Sequence, residues 1–567
     1  MQSYGKWSAR ARLLCASALL ASGLSAPAIA EDDSFFTLTL MVGEGNSELA
    51  KIAQIMAQDF GKIGIDVDLQ FIDFAAISPR YKLTSKTGVT FEDGGYDIYF
   101  SGTSLNTFPD PSGIYVRYGS DQFYPNGNNR TRYVNPEFDE LIYEALATPN
   151  DEARWETTKE AVALLREDFA NVPIYRTPKI NLVRTDIAFP ENKSYYGWES
   201  YAARWATREV EGKSADEMTP REKTLVVATD GSGLEAFLPG FHDNDDTTRA
   251  LNYMAYDALL APTLGSYATR DGGKKGPKPA LATDWEISED GKTWTFHLAD
   301  GATWHDGVPL TADDVMFTYD LIKNPDAGYG SSKFIETNGV SWKKLDDKTV
   351  EFTAETFSPL FASEMFTTPI VAEHVLGDMP PAEIKTSEYN TTTVIGTGPF
   401  VLDVYQPGEF IRWKANDEYY GGRPFFDYVT FKVVPTKTAA FYAMKAGEVD
   451  ITNAYGFTRE LEEINANPEI GTIEQPDISM EIVRINHDHP ELSKLGVRKA
   501  MSLATNRQVI ADVVFDGLAR PADQMVPDWN PAYSPDLPPL VYDLNEAKKA
   551  LVEAGFDYDT ISIDGPQ

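Results

Sequence analysis

The chain has 567 residues, 42% of them hydrophobic and 12% aromatic, the balance of a protein that buries ordered cores. Fifty lysines and arginines face 86 aspartates and glutamates, a formal net charge of −36, which repels nucleic acid and anionic lipid and argues against either as a partner. The single cysteine, Cys15, falls in the first thirty residues, so thiolate metal sites, cysteine nucleophiles and disulfides are excluded from the rest.

Residues 1–30 read as a cleavable signal peptide. Lys6, Arg10 and Arg12 supply a positive start, Leu13 to Leu24 is apolar, and Ala28-Ile29-Ala30 is a small-residue cleavage site. Leu14 stands where lipidation would need a small residue, so Cys15 reads as an ordinary leader residue. No later stretch offers about 18 uninterrupted apolar residues, and the expected compartment is the periplasm. The length suggests two to four folding units.

Phe36 to Leu40 alternates like a half-buried strand. Leu49, Ile52, Ala53, Met56 and Phe60 recur at helical spacing with Ser47 as the expected cap, Gly64 ends that helix, and Ile65, Val67, Leu69 and Phe71 alternate again. Strand, helix, strand at this spacing predicts a parallel βαβ unit. Tyr96 to Phe100 reads as a strand and Ser101 to Gly113 as a loop. Pro136 to Leu146 and Glu152 to Ala170 read as helices, the second with an apolar stripe of Ala161, Leu164, Leu165 and Phe169, and Pro173 to Tyr175 as a strand. Residues 207–221 are polar and aperiodic, a surface linker, and Thr224 to Ala228 restarts the chain as a buried strand. Residues 280–355 read as short strands and turns with Trp285, Trp294 and Trp304 as core. Lys432 to Val434 predicts a strand, Thr436 to Ala446 a helix, and Val497 to Phe515 one helical region. A last stripe, Ala547, Ala550, Leu551 and Ala554, stops at Gly555.

Several stretches together resemble the family-five extracellular solute-binding proteins of ABC importers, the dipeptide- and oligopeptide-binding group. They are Ala302 to Val315 (ATWHDGVPLTADDV), Gly396 to Phe400 (GTGPF), Asn416 with Tyr419 to Pro424 (YYGGRP), Lys445 to Asp450 (KAGEVD), and Val497 to Ala500 with Ala504 to Arg507 (VRKA, ATNR). Asn506 stands where an Asp is usual. The elements that close such a protein come first here instead of last: Asp110-Pro111, Asn135 to Asp139 and Val172 to Tyr175. The order is that of a circular permutation in which 207–221 joins the usual termini. The resemblance implies an α/β, periplasmic-binding-protein-like two-lobe clamp with an extra inserted domain, three domains in all. Residues 31–175 would be the second part of lobe 2 (domain III), 176–205 the closing part of lobe 1 (domain I), and 206–221 the linker. Residues 222–262 and 390–482 would form the rest of lobe 1, 263–389 the inserted domain II, and 483–567 the first part of lobe 2. Hinge strands are expected near 480–486 and 172–176. The implied function is capture of a peptide or related small oligomeric solute in an interlobe cleft by a monomer, and its delivery to the permease subunits of the importer. An oligosaccharide, an opine or a nickel chelate is the alternative ligand.

No G-x-S-x-G, H-E-x-x-H or phosphate-loop signature occurs, and the basic turn Gly272 to Gly276 lacks its Ser/Thr. Asp313-Asp314 and Asp245-Asp246 read as solvated surface, so neither catalysis nor a cofactor is expected. His487-Asp488-His489 is the one cluster with metal-ligand chemistry. A polar turn beyond the hinge strand is the favoured reading of it, with His487 and His489 kept as metal candidates. The resemblance implies that Asp230, Gly231, Ser232 and Glu235 edge the cleft and that the loop bearing Ser104, Asn106, Thr107 and Asp110 faces the ligand from the other lobe. Peptide binders of this family place an Asp four residues before the proline, against the peptide ammonium, where this chain has Thr107. Asp110 or Glu235 takes that charge, or the ligand lacks a free amine. Tyr455 and Phe457 line the cleft or pack, Arg484 reaches a ligand carboxylate or forms a structural salt bridge, and Asn486 contacts the ligand.

Overall fold

The computed structural model describes residues 33–44, 46–104, 111–125, 127–177, 179–189, 204–229, 236–239, 246–261, 278–328, 332–453, 461–475, 479–515, 517–528 and 530–567. The alternating segments Phe36–Gly43 and Ile65–Ile72 are parallel strands joined by the helix Ser47–Gly61. Asn46, not Ser47, caps that helix: it keeps an extended backbone and its side chain accepts the Leu49 N–H, whereas Ser47 has already turned helical. Ile98–Ser104 adds a third parallel strand. It runs four residues past the expected end because Ser479–Ile485 pairs with it antiparallel along its whole length, Ser479 opposite Ser104. The loop expected from 101 to 113 is therefore shorter, and Ser112–Tyr118 is a helix. Phe169 likewise lies outside the helix Asp151–Glu167, with φ of 45°.

The six-stranded sheet has the order 65–72, 36–43, 98–104, 479–485, 171–176, 520–521. A strand from the last fifth of the chain thus sits between two strands from the first third. One apolar core backs both: Leu38, Leu40 and Phe60 pack with Val483, Ile485, Val497, Met501, Ala547 and Leu551. Phe35 meets Phe556 and Tyr558 at ring-centroid distances of 5.0 and 4.9 Å, and the Tyr558 hydroxyl donates to the Ile63 carbonyl at 2.8 Å. Each large aliphatic or aromatic side chain so buried is worth about 1.5–3 kcal/mol.

A seven-stranded sheet follows the order 400–406, 410–415, 428–433, 224–229, 451–453, 179–184, 470–475. A four-stranded antiparallel sheet, 282–287, 293–298, 349–353 and 341–346, shares its core. Trp294 and Trp304 are buried there and Trp285 partly so. This part holds a twelve-residue helix, Ala312–Lys323, where only strands and turns were expected. Thr311 and Asp314 start it with reciprocal side-chain to backbone bonds. The region 497–515 is two helices, Leu495–Leu503 and Arg507–Phe515, because Asn506 accepts the Val509 N–H and opens a second one. The polar segment 207–221 is anchored rather than free: Thr207–Arg208 pairs with Ile187–Ala188. None of the described helices is long and apolar enough to cross a membrane.

Candidate functional site

The chain passes between the six- and seven-stranded sheets twice, from Arg176 to Lys179 and from Gln475 back to Ser479. The ends of the two passages are paired, Met480 with Arg176 in one sheet and Gln475 with Lys179 in the other. The expected boundary at 482/483 would cut the strand 479–485; the sheet changes between 475 and 479.

Register then fixes which ends of the other strands lie beside these passages. Ser104 opposes Ser479, so strand 98–104 ends there. Asn453 opposes Asn181, and Ile451 runs parallel beside Val227, so 451–453 and 224–229 end there too. Three segments leave from these ends: 105–110, 230–235 and 454–460. They carry Asn106, Thr107, Asp110, Asp230, Gly231, Ser232, Glu235, Tyr455 and Phe457, all of which lie outside the described residues. Ser104 is the last residue of its strand.

The remaining candidates are placed in detail. Asn486 is fully buried and its amide serves the protein's own backbone. It donates to the carbonyls of Gly88 and Tyr96 at 3.0 and 3.1 Å and accepts from the Asp488 N–H at 3.1 Å. It locks the 88–97 turn. Arg484 is 2% exposed, opposite Tyr99 and Asn171 and five residues in from the passage. Its Nε and Nη1 meet no acceptor and it makes no salt bridge among the described residues. It stands within the sheet, away from the passage. Its positive charge pulls against the burial that raises the phenols of Tyr96 and Tyr118.

His487 and His489 do not share an extended strand, because that strand ends at Ile485 and a turn follows. His487 Nε2–H donates to the Ala170 carbonyl at 3.0 Å, and burial pushes its pKa down to about 3. His489 Nδ1 accepts the Glu491 N–H at 3.1 Å. The two imidazoles serve different partners, and no three His, Cys, Asp or Glu side chains gather into a metal cage among the described residues.

One group at the passage escaped the sequence reading. Glu481, third residue of the strand 479–485, has a buried Oε1 with no hydrogen-bond partner among the described residues, and burial raises its pKa to about 8. A lone acid among Met480, Ile482 and Val483 is the signal that could have found it.

Residues 276–563 match the model of the bacterial extracellular solute-binding proteins, family 5 middle region. The chain belongs to family 5 of the bacterial extracellular solute-binding proteins. Similar relatives include the dipeptide-binding protein of Escherichia coli, 30% identical over 354 residues, 59% of this chain and 64% of that protein. The oligopeptide-binding protein AppA of Bacillus subtilis is 30% identical over 339 residues, 59% of either chain. The solved ABC transporter substrate-binding protein CtaP of Listeria monocytogenes superposes with a TM-score of 0.50 at 27% identity, covering 59% of this chain and 65% of that one. The chain spans less than two thirds of the length of each of these relatives.

The stretches that resemble family 5 are scaffold in this member. Gly396 packs so tightly on the chain that an added Cβ would lie 1.8 Å from the Ala255 carbonyl oxygen. His305 clamps the same turn: Nδ1 accepts the Gly396 N–H at 3.2 Å and Nε2–H donates to the Gly398 carbonyl at 3.1 Å. Tyr419 accepts from Arg204 at 2.8 Å and Tyr420 donates to Asp257 at 3.1 Å, around a buried Arg204–Asp257 pair. Asp450, fully buried, accepts from Arg208 at 2.5 Å, from Arg221 at 2.9 Å and from the Val226 N–H at 2.8 Å.

Proposed function

We propose that this family 5 protein is the solute-capturing component of an ABC importer, taking peptides between two lobes and handing them to a membrane permease. The observation that carries the reading is the register: three strand ends from two sheets meet the paired passages. Segments 105–110 and 230–235 would then face one another across a hinge, at the carboxyl ends of strands where open α/β sheets bind ligands. Closure about two such passages would bury solute, and contacts made only in the closed form would stabilise it. The dipeptide- and oligopeptide-binding relatives favour peptide as the solute.

We infer that the chain is circularly permuted, with lobes divided at the two passages. The family match begins at residue 276, yet the strand 479–485 within it has neighbours on both sides drawn from before residue 177. A leader at 1–30 would send the protein to the periplasm.

Native mass spectrometry of protein taken directly from the periplasm tests the ligand class. Co-purified peptides are expected, and a single sugar or opine mass would overturn the peptide reading. Replacing both Asn106 and Thr107 by Ala should weaken that ligand's binding at least several-fold in calorimetry while the melting temperature holds. Unchanged affinity would remove the 105–110 segment from the site.

A further inference from the structure

Glu481 lies two residues from Ser479, directly opposite Gly102 on one side and Tyr175 on the other. Opposed residues in antiparallel strands share a face, and Gly102 contributes no side chain to it. A Cβ placed there would meet, among the described residues, only Oε2 of Glu481, at 3.6 Å. The space over Gly102 thus belongs to the carboxyl group. Oε1 is buried and unpartnered among the described residues, while the residue as a whole stays part-exposed.

No cation answers this acid: Glu481 forms no ion pair among the described residues. The positive charge that acts on it belongs to Arg484, three residues along an extended strand and so on the opposite face. Buried acceptors in native proteins are satisfied by protein, water or ligand, and one left open at a cleft calls for an explanation. Burial holds this acid in its neutral form well beyond the usual carboxylate range, a state that an arriving positive charge would reverse. Glutamine would fill the same shape without that penalty, so the acid has no evident structural use.

We propose that Glu481 is the cation receptor of the cleft, its carboxylate holding an ammonium group of the captured solute. This deepens the peptide-capture reading and rests on it. The test uses trialanine, N-acetyl-trialanine and butylammonium chloride against the wild type and Glu481→Gln. Calorimetry should show trialanine bound at least tenfold more weakly by the variant, with N-acetyl-trialanine bound alike by both, and a thermal melt confirms that the variant is folded. Equal trialanine affinity in the two proteins overturns the assignment. If the wild type ignores trialanine but butylammonium raises its melting temperature, and Glu481→Gln abolishes that rise, the receptor stands and the peptide reading falls. No response of the wild type to either amine overturns the receptor itself.

Discussion

Replacing Asp450 by Ala should lower folding stability by about 3–5 kcal/mol, the range expected when one partner of a buried ion pair is removed. The carboxylate is fully buried and Arg208 beside it is 3% exposed. Deleting the acid leaves that guanidinium inside the lobe with Asp186, at 3.2 Å, as its remaining carboxylate. The Val226 N–H, in the middle of a central strand, loses its acceptor as well. Arg221, the other partner, is 41% exposed, so solvent screens its share and Arg221→Ala should cost about 1 kcal/mol or less. The two arginines stand near the two ends of the polar segment 207–221, so one carboxylate ties down both ends of it. Urea unfolding measures the effect as a shifted midpoint at constant slope. A loss below about 1 kcal/mol for Asp450→Ala would mean that the segment is not anchored there.

Stability should also fall as the solution is acidified through the range in which His487 differs from a free imidazole. Burial holds it neutral down to about pH 3, whereas the unfolded chain binds that proton near 6.5. Between those values the unfolded state carries the extra proton, so stability rises with pH through the window and is complete above about 6.5. The slope is about 1.4 kcal/mol per pH unit for this one group. His487→Gln keeps a donor for the Ala170 carbonyl and cannot be protonated. Between pH 7 and pH 5 the wild type should therefore lose about 2 kcal/mol more than the variant. Equal losses would show that His487 is free to take a proton in the folded protein.

The two halves of the candidate site were unequally legible in the sequence. Period-two runs such as Phe36 to Leu40 and helical stripes such as Ala547 to Leu551 declare themselves because burial acts on near neighbours. What was lost depends on distant partners. Strand 98–104 runs past Phe100 only because 479–485 covers it, and no local pattern says so. Asn486 is held by the carbonyls of residues 88 and 96. The helix at Ala312 was announced by Thr311 and Asp314, a capping pair overlooked among tryptophans. Glu481 takes its meaning from Gly102 beside it and from having no ion-pair partner among the described residues, and neither is visible along the chain.

Strands 36–43 and 98–104 share one sheet with strand 479–485, and a disulfide trap checks that arrangement. Ser101 and Ile482 are opposed across the strands 98–104 and 479–485, and directly opposed β-carbons lie about 4.5–5.5 Å apart, close enough to bridge with slight adjustment. In a Cys15→Ser background, Ser101→Cys with Ile482→Cys should oxidise to an intramolecular bond in the monomer, joining the two peptides in a non-reducing digest. Two free thiols under the same oxidation, or bonds formed only between separate chains, would contradict the shared sheet.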